Sequence, residues 1–226
     1  TIDGANLRAL AGGHLYLPSA SSYARTIPDR NLIVADGEGS VIDLPNLTLL
    51  DGGAGGDRYG GFTVRVEATN GGEVVLTNSA EAALATPLTV LGQLLFTASG
   101  ADGQGTASTI RLRDVTDLPG LQSLTVVGAG QIDVSNVETI DTSELRAHAG
   151  GQLLLPSATS YRRTIPNRDL ILADGEGSLV DMPNITVLDG GTGGDRYGAW
   201  NVRVDITSGA ELRLSSLRSL LNQVNI

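Results

Sequence analysis

Short alternations of apolar and polar residues organise this chain, and no long amphipathic stretch interrupts them. A small residue, a variable one, an aliphatic, a variable one and a second aliphatic recur eight times: Gly13–Leu17, Ser40–Leu44, Gly72–Leu76, Ser108–Leu112, Gly130–Val134, Gly151–Leu155, Ser178–Met182 and Ala210–Leu214. Apolar positions two residues apart mark a strand with one face buried. Three residues further comes another apolar or small position: Ala20, Leu47, Val115, Val137, Ala158, Ile185 and Leu217. A second alternating strand precedes the small residue, as in Leu7-Arg-Ala9, Leu32-Ile-Val34, Val64-Arg-Val66, Leu124-Thr-Val126, Leu145-Arg-Ala147 and Val202-Arg-Val204. Each unit thus predicts about three short strands separated by turns.

A longer repeat contains the shorter one. Gly12–Asn78 aligns without a gap on Gly150–Ser216, at an offset of 138 residues. The eight signatures are spaced by 27, 32, 36, 22, 21, 27 and 32 residues, and the first five steps span that offset. The chain therefore reads as one solenoid over 1–226, with a long repeat over 7–144 and an incomplete second copy over 145–226. Repetition at these periods signals stacked units that bury a core only together. The expected fold is all-β: a right-handed parallel β-helix of about eight rungs, its handedness following from the crossover rule for parallel strands. Ile42, Leu44, Val180 and Leu212 should point inward, and Ile42, Val74 and Ile110 should form one column. The outward column should run Tyr16, Asp43, Val75, Arg111, Asp133, Leu154, Asp181, Arg213, with opposite charges facing at Arg111–Asp133 and Asp181–Arg213.

Composition narrows the classes. Thirty glycines and eight aromatics suit turns and aliphatic ladders better than a conventional aromatic-rich core. A net charge of −10 argues against nucleic acid, which needs a basic stripe. All 15 basic residues are arginine, which points to no function by itself. The absence of cysteine excludes disulfides and thiolate metal sites. The longest apolar run, Thr86–Phe96, falls short of the ~20 residues of a membrane span. Without an initiator Met, the chain reads as part of something longer.

The DGEGSVIDLPN and LPNLT stretches resemble the right-handed parallel β-helix repeats of large secreted bacterial surface proteins of adhesin or matrix type. That resemblance implies an extracellular or cell-surface, elongated, non-enzymatic protein. Its partners would be copies of itself or further rungs end to end, or a polysaccharide or other cell-surface polymer. Leucine-rich repeats compete weakly, since no Asn or Cys recurs at a fixed place.

Two loops recur with the 138-residue period and are the candidate contact surfaces. Ser22–Arg30 (SYARTIPDR) matches Ser160–Arg168, and Asp51–Gly60 (DGGAGGDRYG) matches Asp189–Gly198. Arg25, Arg30, Arg58 and Tyr59, with copies Arg163, Arg168, Arg196 and Tyr197, are the expected partner-binding residues, because Arg and Tyr are enriched at interface hot spots. The second loop also spells the GGxGxDx calcium motif, which makes Asp51, Asp57, Asp189 and Asp195 candidate calcium ligands. That motif works in nine-residue tandem, and here its copies are far apart; glycine turns capped by Asp are the competing explanation. The turn Ala35-Asp-Gly-Glu-Gly39, repeated at Ala173–Gly177, sets up Asp36 and Glu38 as turn carboxylates. His14 and His148 are not equivalent in the long repeat and have no second histidine nearby. An enzyme would need clustered carboxylates on one face, as in polysaccharide lyases or glycosidases. Here every candidate cluster is duplicated, so no catalytic residue is expected. A calcium-dependent glycan-binding module is the other alternative.

Overall fold

The computed structural model describes residues 1–25, 31–53, 64–76, 87–112, 114–118, 122–164, 168–192, 194–195, 198–199 and 201–226. Among these the chain is all-β, with no helix. The strands run parallel in stacked sheets, apart from the small hairpin Gly194–Asp195 with Gly198–Ala199 and one antiparallel bridge, Ala101 to Ala107.

The longest sheet stacks nine strands in chain order: Leu7–Leu10, Asn31–Asp36, Val64–Thr69, Leu94–Ser99, Ser123–Val127, Glu144–His148, Arg168–Asp174, Asn201–Thr207 and Val224–Asn225. A second face carries the signature strands in two separate sheets. His14–Tyr16, Val41–Asp43, Glu73–Val75, Thr109–Arg111 and Gln131–Asp133 form one; Gln152–Leu154, Leu179–Asp181 and Glu211–Arg213 form the other. A third face holds Ser22–Ala24, Leu49–Asp51 and Thr89–Leu91, then Ser160–Arg162, Val187–Asp189 and Ser219–Leu221. Bridges from Asp117 to Thr139 and from Thr139 to Ser160 lie between these two groups.

The inward column of the second face forms as expected. Leu15 pairs with Ile42, Ile42 with Val74, Val74 with Ile110 and Ile110 with Ile132. Ile42, Leu44, Val74, Ile110 and Val180 are fully buried, while Leu212, in the last coil, is partly buried against the same core. Each such side chain contributes roughly 1.5–3 kcal/mol only when coils above and below cover it. The corner positions Ala20, Leu47, Val115, Val137, Ala158 and Ile185 are buried too.

Three expectations shift. In the strand Asn31–Asp36 the inward residues are Ile33 and Ala35, which pair with Leu7 and Ala9. Leu32 and Val34 fall on the other phase. The run Leu-Ile-Val-Ala is continuously apolar, so alternation alone leaves its phase open, and the neighbouring ladder decides it. Second, Ser22–Arg30 and Ser160–Arg168 do not begin as loops. Their first residues are strands, and Tyr23 and Tyr161 are wholly buried, each donating its hydroxyl at 2.5 Å to a carbonyl, of Ala5 and Ser143. Third, the outward column aligns within each sheet, with Arg111 opposite Asp133 and Asp181 opposite Arg213 as expected, and its arginines also take partners the sequence did not suggest, diagonally or within one strand. Arg111 pairs with Glu73, and Arg213 with Glu211 at 2.6 Å. The same within-strand pattern gives Arg65–Glu67, Arg146–Glu144 and Arg203–Asp205.

Candidate functional site

The duplicated DGG corners are built for packing. Gly52 and Gly190 lie so close to the next coil that a Cβ on either would sit 2.2 Å from the Gln93 carbonyl oxygen or 2.1 Å from that of Gln223. Only glycine fits such an approach. Gly53 and Gly191 follow at positive φ, 80° and 78°. Their N–H groups donate to the Oδ1 atoms of Asp51 (2.7 Å) and Asp189 (2.9 Å), closing an Asx turn in each copy. Arg25 and Arg163 donate their backbone N–H groups to the Asp51 and Asp189 carbonyls, both at 2.9 Å.

These contacts place the expected site residues differently from one another. Arg163 is 2 % exposed, and its Nε donates to the Gly190 carbonyl at 3.1 Å. The sequence expectation made Arg163 a partner contact; in this structure its guanidinium lies under the loop, bonded to that carbonyl. Arg25 is half-buried in the equivalent place, with its guanidinium against Gly53. Asp189 is also buried. Its Oδ1 accepts Asn222 Nδ2 at 2.5 Å, and its Oδ2 lies 3.2 Å from Arg162 Nε. Burial pushes this carboxyl upward. The hydrogen bonds from Asn222 and Gly191 and the Arg162 charge outweigh that and hold it below the ordinary carboxylate range. Asp141 shares Arg162 through the backbone N–H at 2.8 Å, but burial raises it above its usual value. Arg30, Asp57, Arg58, Tyr59, Arg196 and Tyr197 lie outside the described residues. Arg168 and Asp195 are described in backbone only, in the strands Arg168–Asp174 and Gly194–Asp195. The described geometry therefore brings Asp51 and Asp189 into turn caps and assembles no calcium shell around them; among the described residues no group of three or more acidic or histidine side chains gathers.

The feature that departs from the repeat lies elsewhere, at the break in the second face. At each other step of that face, two backbone hydrogen bonds flank the paired strands. Examples are Val41 N–H to Gly13 O and Leu17 N–H to Asp43 O; Thr109 N–H to Gly72 O; Leu112 N–H to Asp133 O; Leu179 N–H to Gly151 O and Leu155 N–H to Asp181 O. The equivalent bonds between Gln131–Val134 and Gln152–Leu155 would run from Gln152 N–H to Gly130 O and from Val134 N–H to Leu154 O. Neither is present, and the two strands belong to different sheets. Their Cα atoms nevertheless come within 8 Å of each other.

A cleft of about 650 Å³ opens over this gap. Thr109, Arg111, Gln131, Asp133, Gln152 and Leu154, all outward positions, line it. The loop Gly100–Ser108 forms one wall. Asp102 organises that loop by accepting the N–H groups of Gln104 and Thr106 on Oδ1, both at 2.8 Å. The gap is closed at both ends. Ser157 Oγ donates to Ser135 O at 2.6 Å, and Val127 pairs with His148 in the unbroken long sheet.

One sequence feature coincides with this break without accounting for it. The small residues of successive signatures read Gly13, Ser40, Gly72, Ser108, Gly130, Gly151, Ser178, Ala210, and Gly130–Gly151 is the one adjacent pair that is glycine twice. At three of the six intact steps serine fastens the corner: Ser40, Ser108 and Ser178 each accept a glycine N–H from the preceding coil (Gly12, Gly71 and Gly150) at 2.9–3.0 Å and donate to a strand-end carbonyl, while the steps to Gly72, Gly130 and Ala210 pair without such a bond. Comparison with known protein families, with curated proteins and with solved structures finds no match.

Proposed function

We propose that this chain is a right-handed β-solenoid segment of about eight turns. It acts as a non-enzymatic structural or adhesive element of an extracellular bacterial surface, matrix or fibre. The observation that carries this reading is ladder continuity. Nine parallel strands stack in chain order, so load applied along the axis is shared by consecutive coils.

The outermost coils support it further. Leu15 and Leu17 in the first, and Leu212, Leu214 and Leu217 in the last, are only partly buried, whereas their counterparts Ile42, Leu44, Val180, Met182 and Ile185 are sealed. A further coil, of the same chain or another copy, would complete their burial. An enzymatic reading finds less support. Among the described residues Asp133 is the one acidic residue lining the cleft, and glycoside hydrolysis in its usual form needs two.

Sedimentation velocity across a concentration series, with electron microscopy of the concentrated sample, tests the stacking. Axial rods whose length grows with concentration are expected. A strict monomer at millimolar concentration removes self-stacking, and release of reducing ends from a polysaccharide overturns the non-enzymatic role.

A further inference from the structure

We infer that the cleft between Gln131–Val134 and Gln152–Leu155 is a binding site for a neutral saccharide, whose hydroxyl groups bridge the unpaired backbone groups of the two strands. This deepens the adhesive reading by giving it a site and a ligand chemistry, but it does not depend on self-stacking.

Width selects the ligand. Paired strands lie about 4.7–4.9 Å apart, so inserting another strand would need the lips about 9.6 Å apart. The lips approach within 8 Å without bonding. One hydroxyl oxygen placed between an N–H and a C=O replaces a ~2.9 Å contact with two contacts of about 2.8 Å meeting near the tetrahedral angle, widening the spacing to roughly 6.5 Å. An approach within 8 Å is too close for an inserted strand, and the spacing for a bridging oxygen falls inside that bound. A hydroxyl suits it because it donates and accepts at once, as the facing groups require. Val134 is almost wholly buried, so leaving its N–H without a partner is costly.

The outer lining fits the rest of such a molecule. Gln131 and Gln152 are exposed amides that both donate and accept. Leu154, 47 % exposed, and the neighbouring Pro156 give an apolar floor for the C–H face of a ring. Arg111, the described basic residue lining the cleft, is engaged by Glu73. No uncompensated positive charge therefore calls for an anionic sugar. The volume lies within the usual ~300–1,000 Å³ of small-molecule sites.

Amide NMR titration tests this with a panel of neutral tetrasaccharides (cellotetraose, maltotetraose, mannotetraose, xylotetraose) and tetragalacturonate as the anionic control. At least one neutral member should shift the amides of Ile132, Val134, Gln152 and Leu154, with affinity in the millimolar range or better. Gln152→Ala and Leu154→Asp, both at exposed positions, should each weaken binding about tenfold. Tyr16→Ala, the position equivalent to Leu154 at an intact step, should leave it unchanged. Silence across the panel marks a merely hydrated gap and overturns the proposal. So do shifts that survive both cleft variants, or tighter binding of tetragalacturonate. A chain that stays monomeric but binds a neutral sugar keeps this site while losing the self-stacking model; rods that bind none do the reverse.

Discussion

The long sheet and the second face are laid down by the same coils, yet one runs unbroken through nine strands while the other divides after Gln131–Asp133. In the long sheet, Ser123–Val127 pairs with Glu144–His148 over five residues, and the inward pairs Leu124–Leu145 and Val126–Ala147 are fully buried. On the second face the strands of these same two coils are three residues long and do not pair. Short strands gain few ladder bonds, so their pairing leans on corner contacts. Between these two strands the side-chain tie that remains lies one corner on, where Ser157 Oγ donates to Ser135 O. The difference teaches that a stacked fold tolerates a local fault when another face holds the register, and that a fault exposes backbone chemistry the regular ladder conceals.

The largest way to break this comparison is a charge in the intact column. Ile110→Asp should cost more than about 4 kcal/mol and abolish a single cooperative thermal transition, because Ile110 is sealed between Val74 and Ile132. Ile132→Asp, at the lip and 6 % exposed, should cost measurably less, since its carboxylate reaches the cleft. Equal losses would deny the two steps their different character. Next in size, Tyr161→Phe should cost about 1–2 kcal/mol in denaturant unfolding, because the buried Ser143 carbonyl loses its donor. An unchanged midpoint would show that the hydroxyl bond is not structural.

Hydrogen exchange sharpens the comparison without mutation. The amide of Val134 should exchange at least about tenfold faster than those of Leu44 and Leu112, which donate to Val75 and Asp133. The smallest effect is acidic. Hydrogen bonds from Thr69 and Asn70 hold the Asp36 carboxyl below its ordinary value. Its stabilising contribution is full above pH ~4 and is lost as pH falls through that depressed value. Asp36→Asn should flatten this part of the stability profile; an unaltered acid limb would refute the role of these bonds. Asp43 works the other way: burial, then repulsion from Glu73, raises its carboxyl, so its ionised form costs stability that is recovered as pH falls through the raised value.

Much of the architecture was legible in one dimension. The spacing-two aliphatics at Ile42/Leu44 and Val180/Met182 named the buried face, because strand geometry forces alternate residues to opposite sides. The candidate site was less legible. Arg25 and Arg163 look like surface hot spots in sequence, and only the fold shows Arg163 turned beneath the DGG corner. The glycines of that corner read as calcium-loop letters, while their packing partners Gln93 and Gln223 lie 41 and 33 residues away in the chain.

By itself, then, the sequence determined periodicity, strand phase wherever apolar and polar residues truly alternate, and the location of the corners, since these depend on local conformational preferences. Tertiary structure alone decided the phase of the uniformly apolar strand at Asn31–Asp36, the burial of Tyr23 and Tyr161, and the failure of two neighbouring strands to pair. Each of these depends on what the coil above or below presents, and that is a relation between distant residues which no local pattern encodes.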